Sequence, residues 1–248
     1  MPLTSTLAIV TGASRGLGAA LSGVLLSDGA RVIGMARGPM ALSAHANFTA
    51  CTIDMANVVE AVGALEVSLV KSNSQSLTVV TLINNAGVVE PMALADNLPP
   101  AAVASAVSIN LAAPIALTST FLRLTAQWRC QRRVLNISSG AASTAYQGWS
   151  VYGATKAGLD HFSRCVALEQ QHADNPARIV SLAPGVIDTE MQAQVRATTE
   201  TNFPNRQRFI ALKSEGQLQT PEAAARRILS YLEHPDFGNA AVVDIRQL

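Results

Sequence analysis

Residues 7–18 read Leu7-Ala8-Ile9-Val10-Thr11-Gly12-Ala13-Ser14-Arg15-Gly16-Leu17-Gly18. A short apolar run passes directly into a glycine-rich loop, and residues 16–28 read as a helix closed by Gly29. An apolar run bounded by turn residues suits a strand buried on both faces in a parallel sheet. Glycines in the loop let the backbone turn tightly and approach a pyrophosphate at a helix N-terminus. The spacing is GxxxGxG rather than GxGxxG. Glycine serves many turns that hold no ligand. It is the position between the first strand and the first helix that points to a dinucleotide.

Outward from this stretch the alternation continues to the end of the chain. Strands are expected at Arg31–Ala36, Phe48–Ile53, Leu77–Ile83, Arg133–Ser138, Arg178–Leu182 and Ala240–Ile245. Helices are expected at 56–72, from about Pro100 to Gln127, from about Ser150 to Gln171, and in part of 190–215. A last helix opens at Pro221 with Thr220 as its cap. Gly38 and Pro39 leave room for only a stunted helix between the second and third strands. Such a series predicts an α/β doubly wound parallel sheet, a Rossmann fold, of about seven strands in one domain, 1–248. Ligands of these sheets sit beyond the carboxyl ends of the strands. Residues that follow strands are therefore the informative ones.

Composition narrows the class. Of 248 residues, 49% are apolar and 14% charged, enough for a large core. The net charge is +1, from 18 basic and 17 acidic residues. No nucleic-acid or membrane-surface partner is indicated on electrostatic grounds. The densest basic run, Arg129, Arg132 and Arg133, reads as a solvated helix end before a strand. Cys51, Cys130 and Cys165 show neither CxxC spacing nor a local histidine, so no metal site or disulfide framework is expected. Free thiols fit a reducing compartment. No secretory leader is read at the N-terminus, and no apolar run approaches the roughly 18 residues that span a bilayer. A soluble, cytoplasmic chain is expected.

The end of the second strand discriminates between cofactors. A carboxylate there would bind the ribose 2′-hydroxyl of NAD. This chain has Met35-Ala36-Arg37 instead. Arg37 and Arg15 could clamp the 2′-phosphate of NADP, or could simply be exposed. NADP(H) is the expected cofactor. Asp54, after the third strand, is a candidate for the adenine amino group or a cap for the next helix.

The helix near Ser150 carries Tyr152 and Lys156, which at i and i+4 share one face. An ammonium beside a phenol favours the ionised form and lowers its pKa from about 10. A tuned tyrosine can pass a proton near neutral pH. The strand before it ends in Ser138-Ser139, where a hydroxyl could bind a substrate carbonyl.

These pieces together resemble the short-chain dehydrogenase/reductase family over essentially the whole chain. The matching stretches are TGASRGLG at 11–18, NNAG at 84–87, Asn110, ISS at 137–139, YGATK at 152–156 and PGVIDT at 184–189, in family order. The resemblance implies an oxidoreductase in which Tyr152 is the acid/base and Lys156 binds the nicotinamide ribose and tunes the tyrosine. It implies that Ser139, 13 residues before Tyr152, orients the carbonyl, and that Asn110 holds a water in the proton relay. Asn110 by itself reads equally as a satisfied polar residue in a helix. Gly12, Ser14, Arg15, Gly16, Leu17 and Gly18 would hold the pyrophosphate side of NADPH. Asp54, Met55, Asn85, Ala86 and Gly87 would line its adenine and ribose portions, with Asn84 structural. Pro184, Gly185, Val186, Ile187 and Thr189 would pass beside the nicotinamide. No metal is required.

Within the family, three stretches resemble the sepiapterin reductases and bacterial benzil-reductase-like members. They are Gly148-Trp149-Ser150-Val151-Tyr152, Pro184 through Met191, and the tail Gly238 to Arg246. Asp244 would then anchor a substrate amino group, or else merely end the last strand. Residues 190–216 are the expected substrate lid. Met191, Phe203, Phe209 and Trp149 could face an apolar ligand or pack as core. The reading is an NADPH-dependent reductase of ketones or dicarbonyls. An alcohol dehydrogenase or an acyl-carrier reductase on the same fold is the alternative, and a non-catalytic NADP-binding sensor a remote one. The family commonly pairs its long helices, here 100–127 and 150–171, so a homodimer or homotetramer is expected.

Overall fold

β1 (Thr6–Thr11) is buried along its whole length, which requires cover on both faces and a neighbour on either side. The computed structural model, which describes residues 5–72 and 74–248, supplies both. β2 (Arg31–Ala36), β3 (Phe48–Thr52), β4 (Val79–Asn84), β5 (Gln131–Ile137), β6 (Ala177–Ala183) and β7 (Val242–Asp244) complete a sheet of order β3-β2-β1-β4-β5-β6-β7. Every pairing is parallel. The strand order reverses between β1 and β4, and the crevice at that reversal opens at the carboxyl ends.

Strand periodicity divides the core. Ala8 and Val10 of β1 face a layer that holds Leu21 and Leu25 of α1 (Gly16–Ser27) and Ile228 and Leu232 of α8 (Pro221–Glu233). Leu7 and Ile9 face the opposite layer, with Leu65 and Leu69 of α2 (Val58–Val70) and Leu117 and Phe121 of α4 (Ala113–Thr125). Burying one such side chain contributes about 1.5–3 kcal/mol, so the sheet is held from both sides.

Several boundaries differ from expectation. The expected helix 100–127 is three pieces: α3 (Pro100–Val107), a π turn at Ser108–Ala112, and α4. By length and composition the stretch Pro100–Thr125 could cross a bilayer, with a mean hydropathy of 1.7 in its best window. This corrects the expectation that no apolar run is long enough. Its Leu117 and Phe121 are spent on the sheet core. β5 begins at Gln131, two residues early, because Gln131 pairs with Val79 and Arg132 with Val80.

Arg132 is therefore not part of a solvated run. It is buried, its Nε donating to Thr125 Oγ1 at 2.9 Å, Nη2 to the Leu122 carbonyl at 2.6 Å and Nη1 to the Asn175 carbonyl. A buried guanidinium needs such partners, because an unpaired one would carry the full cost of desolvation. Between β2 and β3 lies only a 3₁₀ turn, Ala41–Ala44, as the Gly38-Pro39 pair predicts. Thr220 caps α8, accepting from the Ala223 N–H at 3.1 Å. Asn57, not Asp54, caps α2.

Candidate active site

One continuous cleft of about 970 Å³ runs over the carboxyl ends of the strands. This is the upper end of the range for small-molecule sites, about 300–1,000 Å³. The glycine loop forms one end. A Cβ at Gly18 would stand 2.2 Å from the Gly12 carbonyl oxygen, and one at Gly12, where φ is +69°, would stand 2.9 Å from Ala86 Cα. The loop thus sits hard against the end of β4. No side chain caps the N-terminus of α1, whose preceding residue is Arg15. Its first amides and positive dipole end are left for an anion at the cleft. This tight, uncapped cradle fits a dinucleotide pyrophosphate.

Thr11 joins the loop to β4, and the sequence reading missed it. Its Oγ1 accepts from the N–H groups of Asn85 and Ala86, both at 3.0 Å. The Asn85 side chain donates to the Thr11 carbonyl at 2.9 Å. Asn85, expected to contact the cofactor, does line the cleft, but its amide is spent on β1. Asn84 is interior, donating to Asn136 Oδ1 at 2.8 Å and Thr118 Oγ1 at 3.1 Å. Ser14, Arg15, Gly16, Leu17, Arg37, Asp54, Met55, Ala86, Gly87, Pro184, Gly185, Val186, Ile187 and Thr189 all line the same cleft. Arg15 is paired with Glu190, and Arg37 with Asp54 at 3.6 Å. Asp54 Oδ1 also accepts from the Ala56 N–H at 2.9 Å.

At the middle of the cleft lie Ser139, Tyr152 and Lys156. Ser139 follows β5, while Tyr152 and Lys156 share the first turns of α5 (Ser150–Gln170). Tyr152 is 8% exposed and Lys156 4%. Burial raises the Tyr152 pKa, and the Ser139 hydroxyl against the phenol opposes that rise. This differs from the expectation that Lys156 would lower it. Nζ of Lys156 lies 5.8 Å from the ring centroid and donates to the Ile137 carbonyl at 2.7 Å. Desolvation of the phenol outweighs an ammonium so placed. Burial also lowers the Lys156 pKa to about 8, with Asp160 one turn on opposing the shift. Gly87 leaves space here, since a Cβ would stand 3.7 Å from Nζ.

Asn110 sits in the π turn, fully engaged. Its Oδ1 accepts from the Val88 N–H and its Nδ2 donates to the Val88 carbonyl, both at 2.8 Å, and to Thr155 Oγ1 at 3.3 Å. Both amide hydrogens are spent. The side chain holds the strand-four loop to α5. Thr155, next to Lys156, was not foreseen; only its place in YGATK marks it.

The other end of the cleft is aromatic. Trp149 packs edge-on to Tyr152 at 5.4 Å and to Tyr146 at 5.3 Å, and stacks on Phe203 at 4.6 Å. Tyr146, Trp149, Met191 and Phe209 line the cleft. Phe203 does not; it is fully buried behind Trp149. Gly148, at φ +83°, allows this contact, because a Cβ there would meet the Asn202 carbonyl at 2.1 Å. Asp244 takes the second of its two expected readings, as the residue that ends β7. It does not line the cleft, and its carboxylate is held by the Arg246 guanidinium, which does.

Comparisons with known proteins agree with this geometry. A family model described as short chain dehydrogenase matches residues 6–200. The chain is 39% identical to benzil reductase ((S)-benzoin forming) from Bacillus cereus, over 96% of this chain and 98% of that one. It is 31% identical to sepiapterin reductase from Meriones unguiculatus, covering 95% and 94%. Among solved structures, that of the KRED1-Pglu enzyme superposes with a TM-score of 0.83 at 28% identity, covering 96% of this chain and 99% of that one. With a nucleotide cradle, a buried tyrosine–lysine pair and these relatives along its whole length, the chain belongs to the short-chain dehydrogenase family, oxidoreductases that bind a nicotinamide cofactor and act on carbonyl and CH–OH groups.

Proposed function

We propose that this protein is an NADPH-dependent reductase of aryl ketones and α-dicarbonyls such as benzil. The observation that carries the reading is that Tyr152 and Ser139 stand where the glycine cradle meets the aromatic wall of a single cleft. A carbonyl can reach the phenol there while its aryl group rests on Tyr146, Trp149 and Phe209. The likeness to benzil reductase supports the same substrate class.

A nicotinamide held beside Lys156 and residues 184–189 would supply the hydride that reduces the carbonyl carbon. Ser139 donates a hydrogen bond to the carbonyl oxygen and draws it toward Tyr152. Tyr152, kept protonated by burial, delivers the proton to that oxygen. Lys156 binds the nicotinamide ribose and stabilises the phenolate left behind. Asn110 is a positioning residue, fixing Val88 and α5 through its amide. Residues 190–216, holding α6 (Glu190–Ala197) and α7 (Arg206–Ser214), form the lid over the substrate end.

NADPH rather than NADH is supported by the missing acid after β2 and by Arg15 and Arg37 in the cleft wall. Their carboxylate partners are well exposed, Glu190 at 59% and Asp54 at 44% of the side chain. Exposed pairs of this kind are worth about 0–1 kcal/mol, less than the charge-assisted bonds of a guanidinium to a phosphate. The arginines can therefore exchange partners for a 2′-phosphate. Association through the long helices of 100–127, here α3 and α4, and 150–171, here α5, into a homodimer or homotetramer, in a reducing cytoplasm that keeps the three thiols free, completes the reading.

The test follows NADPH and NADH consumption with benzil, diacetyl, sepiapterin and simple ketones. NADPH-dependent reduction of benzil is expected. Tyr152→Phe should lower kcat by about 10²–10⁴ with NADPH binding retained. Equal activity in that variant overturns the mechanism, and a preference for NADH overturns the arginine assignment.

A further inference from the structure

Arg246 is the one cleft-lining residue of the C-terminal tail. It sits on the 3₁₀ turn Ile245–Gln247 directly after β7, and the buried Ile245 fixes that turn. Asp244 pairs in register with Ala183, so the turn emerges beside Pro184 and Gly185. The stem of Arg246 lies along Gly185, its Cγ and Cδ both 3.8 Å from where a Cβ would be. Its Nη2 reaches to 3.9 Å from the equivalent position on Gly140, the residue after Ser139. The guanidinium therefore stands against Gly140, which opens the turn after Ser139, the residue proposed to hold the reacting carbonyl.

Its orientation is set by Asp244. Nε donates to both carboxylate oxygens, at 2.9 and 3.2 Å, and Nη2 to Oδ2. The Arg246 backbone N–H also donates to Oδ1, at 3.0 Å. The guanidinium holds the Asp244 carboxyl below its ordinary range. Such a forked pair fixes the plane of the guanidinium. Of its five N–H bonds two are used. The rest, including both on Nη1, have no protein acceptor among the described residues.

We propose that Arg246 is a specificity-determining residue, donating a hydrogen bond to the second oxygen of an α-dicarbonyl, the oxygen adjacent to the carbonyl under reduction. Asp244 is its positioning residue, not a substrate anchor. The chemistry fits: a second carbonyl is an acceptor, Arg246 offers only donors, and Gly140 carries no side chain between them. The side chain is 55% exposed, so water can replace the lost acceptor when a monoketone binds. The discrimination is thus about tenfold and not the 10⁴–10⁵ of a sealed polar site.

This inference rests on the dicarbonyl reading above, and the test separates the two. Benzil and deoxybenzoin differ only in that one carbonyl is replaced by CH₂. Benzil is the better electrophile in any enzyme, so the readout is the change in the ratio of the two kcat/KM values on mutation. NADPH binding by fluorescence and the thermal midpoint serve as checks on folding. Arg246→Met keeps the stem and should lower the benzil/deoxybenzoin ratio about tenfold, equivalent to about 1.4 kcal/mol, mostly through KM. Arg246→Lys, which keeps charge but loses the fork, should fall between, as should Asp244→Asn. A ratio that moves less than threefold in folded Arg246→Met and Arg246→Lys overturns the inference and leaves the dicarbonyl reading standing. Failure of the wild type to reduce either compound overturns both.

Discussion

Tyr152 and Lys156 show how burial shapes single residues. A phenol in a dry site keeps its proton, which suits a group that must give one up to a ketone. Lys156 carries its charge below about pH 8 and loses it as the pH rises through that value. The groups facing it are Tyr152 and Asp160, both on α5. Tyr152 stays protonated over the same span because its own pKa is raised. Carbonyl reduction should therefore hold below about pH 8 and decline above it. Lys156→Arg, charged at all these values, should carry the falling limb to higher pH. A kcat profile that stays flat well above pH 8 in the wild type would contradict this. At the cofactor end, Arg37→Ala should raise KM for NADPH by about tenfold or more, the scale of one hydrogen bond to a charged group, with KM for NADH far less affected. Steady-state titration with both nucleotides decides it. Tyr152 and Lys156 were legible as a pair on one helical face because their spacing is local, while the choice of Ser139 over Ser138 came from the resemblance to the family. The pKa direction of Tyr152 was not, because it depends on what surrounds the ring from other elements.

Elements place these residues through a few tertiary bonds. Thr11 ties β1 to β4 at the point where the strand order reverses. Thr11→Val keeps the shape and leaves two half-buried N–H groups without their acceptor, at about 1 kcal/mol each, the low end for an unsatisfied group. The thermal midpoint should fall by roughly 4–8 °C for a chain of this size, and NADPH binding should weaken with it; differential scanning calorimetry is the check. The π turn at Ser108–Ala112 does similar work for the β4 loop, turning Asn110 inward to Val88. No sequence signal distinguished it from an unbroken helix, since its residues fit the α pattern of their neighbours. Arg132 was misplaced for the opposite reason. Its charge argued for solvent, and only the Leu122 carbonyl and Thr125 hydroxyl of α4 and the Asn175 carbonyl, distant in sequence, make its burial tolerable.

The whole molecule joins the two ends of its cleft into one site. A glycine cradle built from β1, α1 and β4 and an aromatic wall built from Tyr146, Trp149 and Phe209 meet at Tyr152. Light scattering should give a mass two or four times the 26.0 kDa of the chain, and a monomer at micromolar concentration would exclude the proposed association through α3, α4 and α5. With Ser139 identified through the family resemblance, the sequence by itself determined the doubly wound sheet, the glycine loop and the Tyr152–Lys156 pair. Each of these is written in short-range patterns: period-2 and period-3.6 apolarity, punctuating glycines, and fixed spacing along one helix. Only the tertiary structure decided which side chains face the cleft. Phe203 lies behind Trp149, Asp244 turns to Arg246, and Arg246 takes the place at the cleft wall. The Asp244–Arg246 pair is local, but the stacking of Phe203 on Trp149 joins positions 54 apart and the approach of Arg246 to Gly185 and Gly140 joins positions 61 and 106 apart, for which the order of residues along the chain carries no local signal.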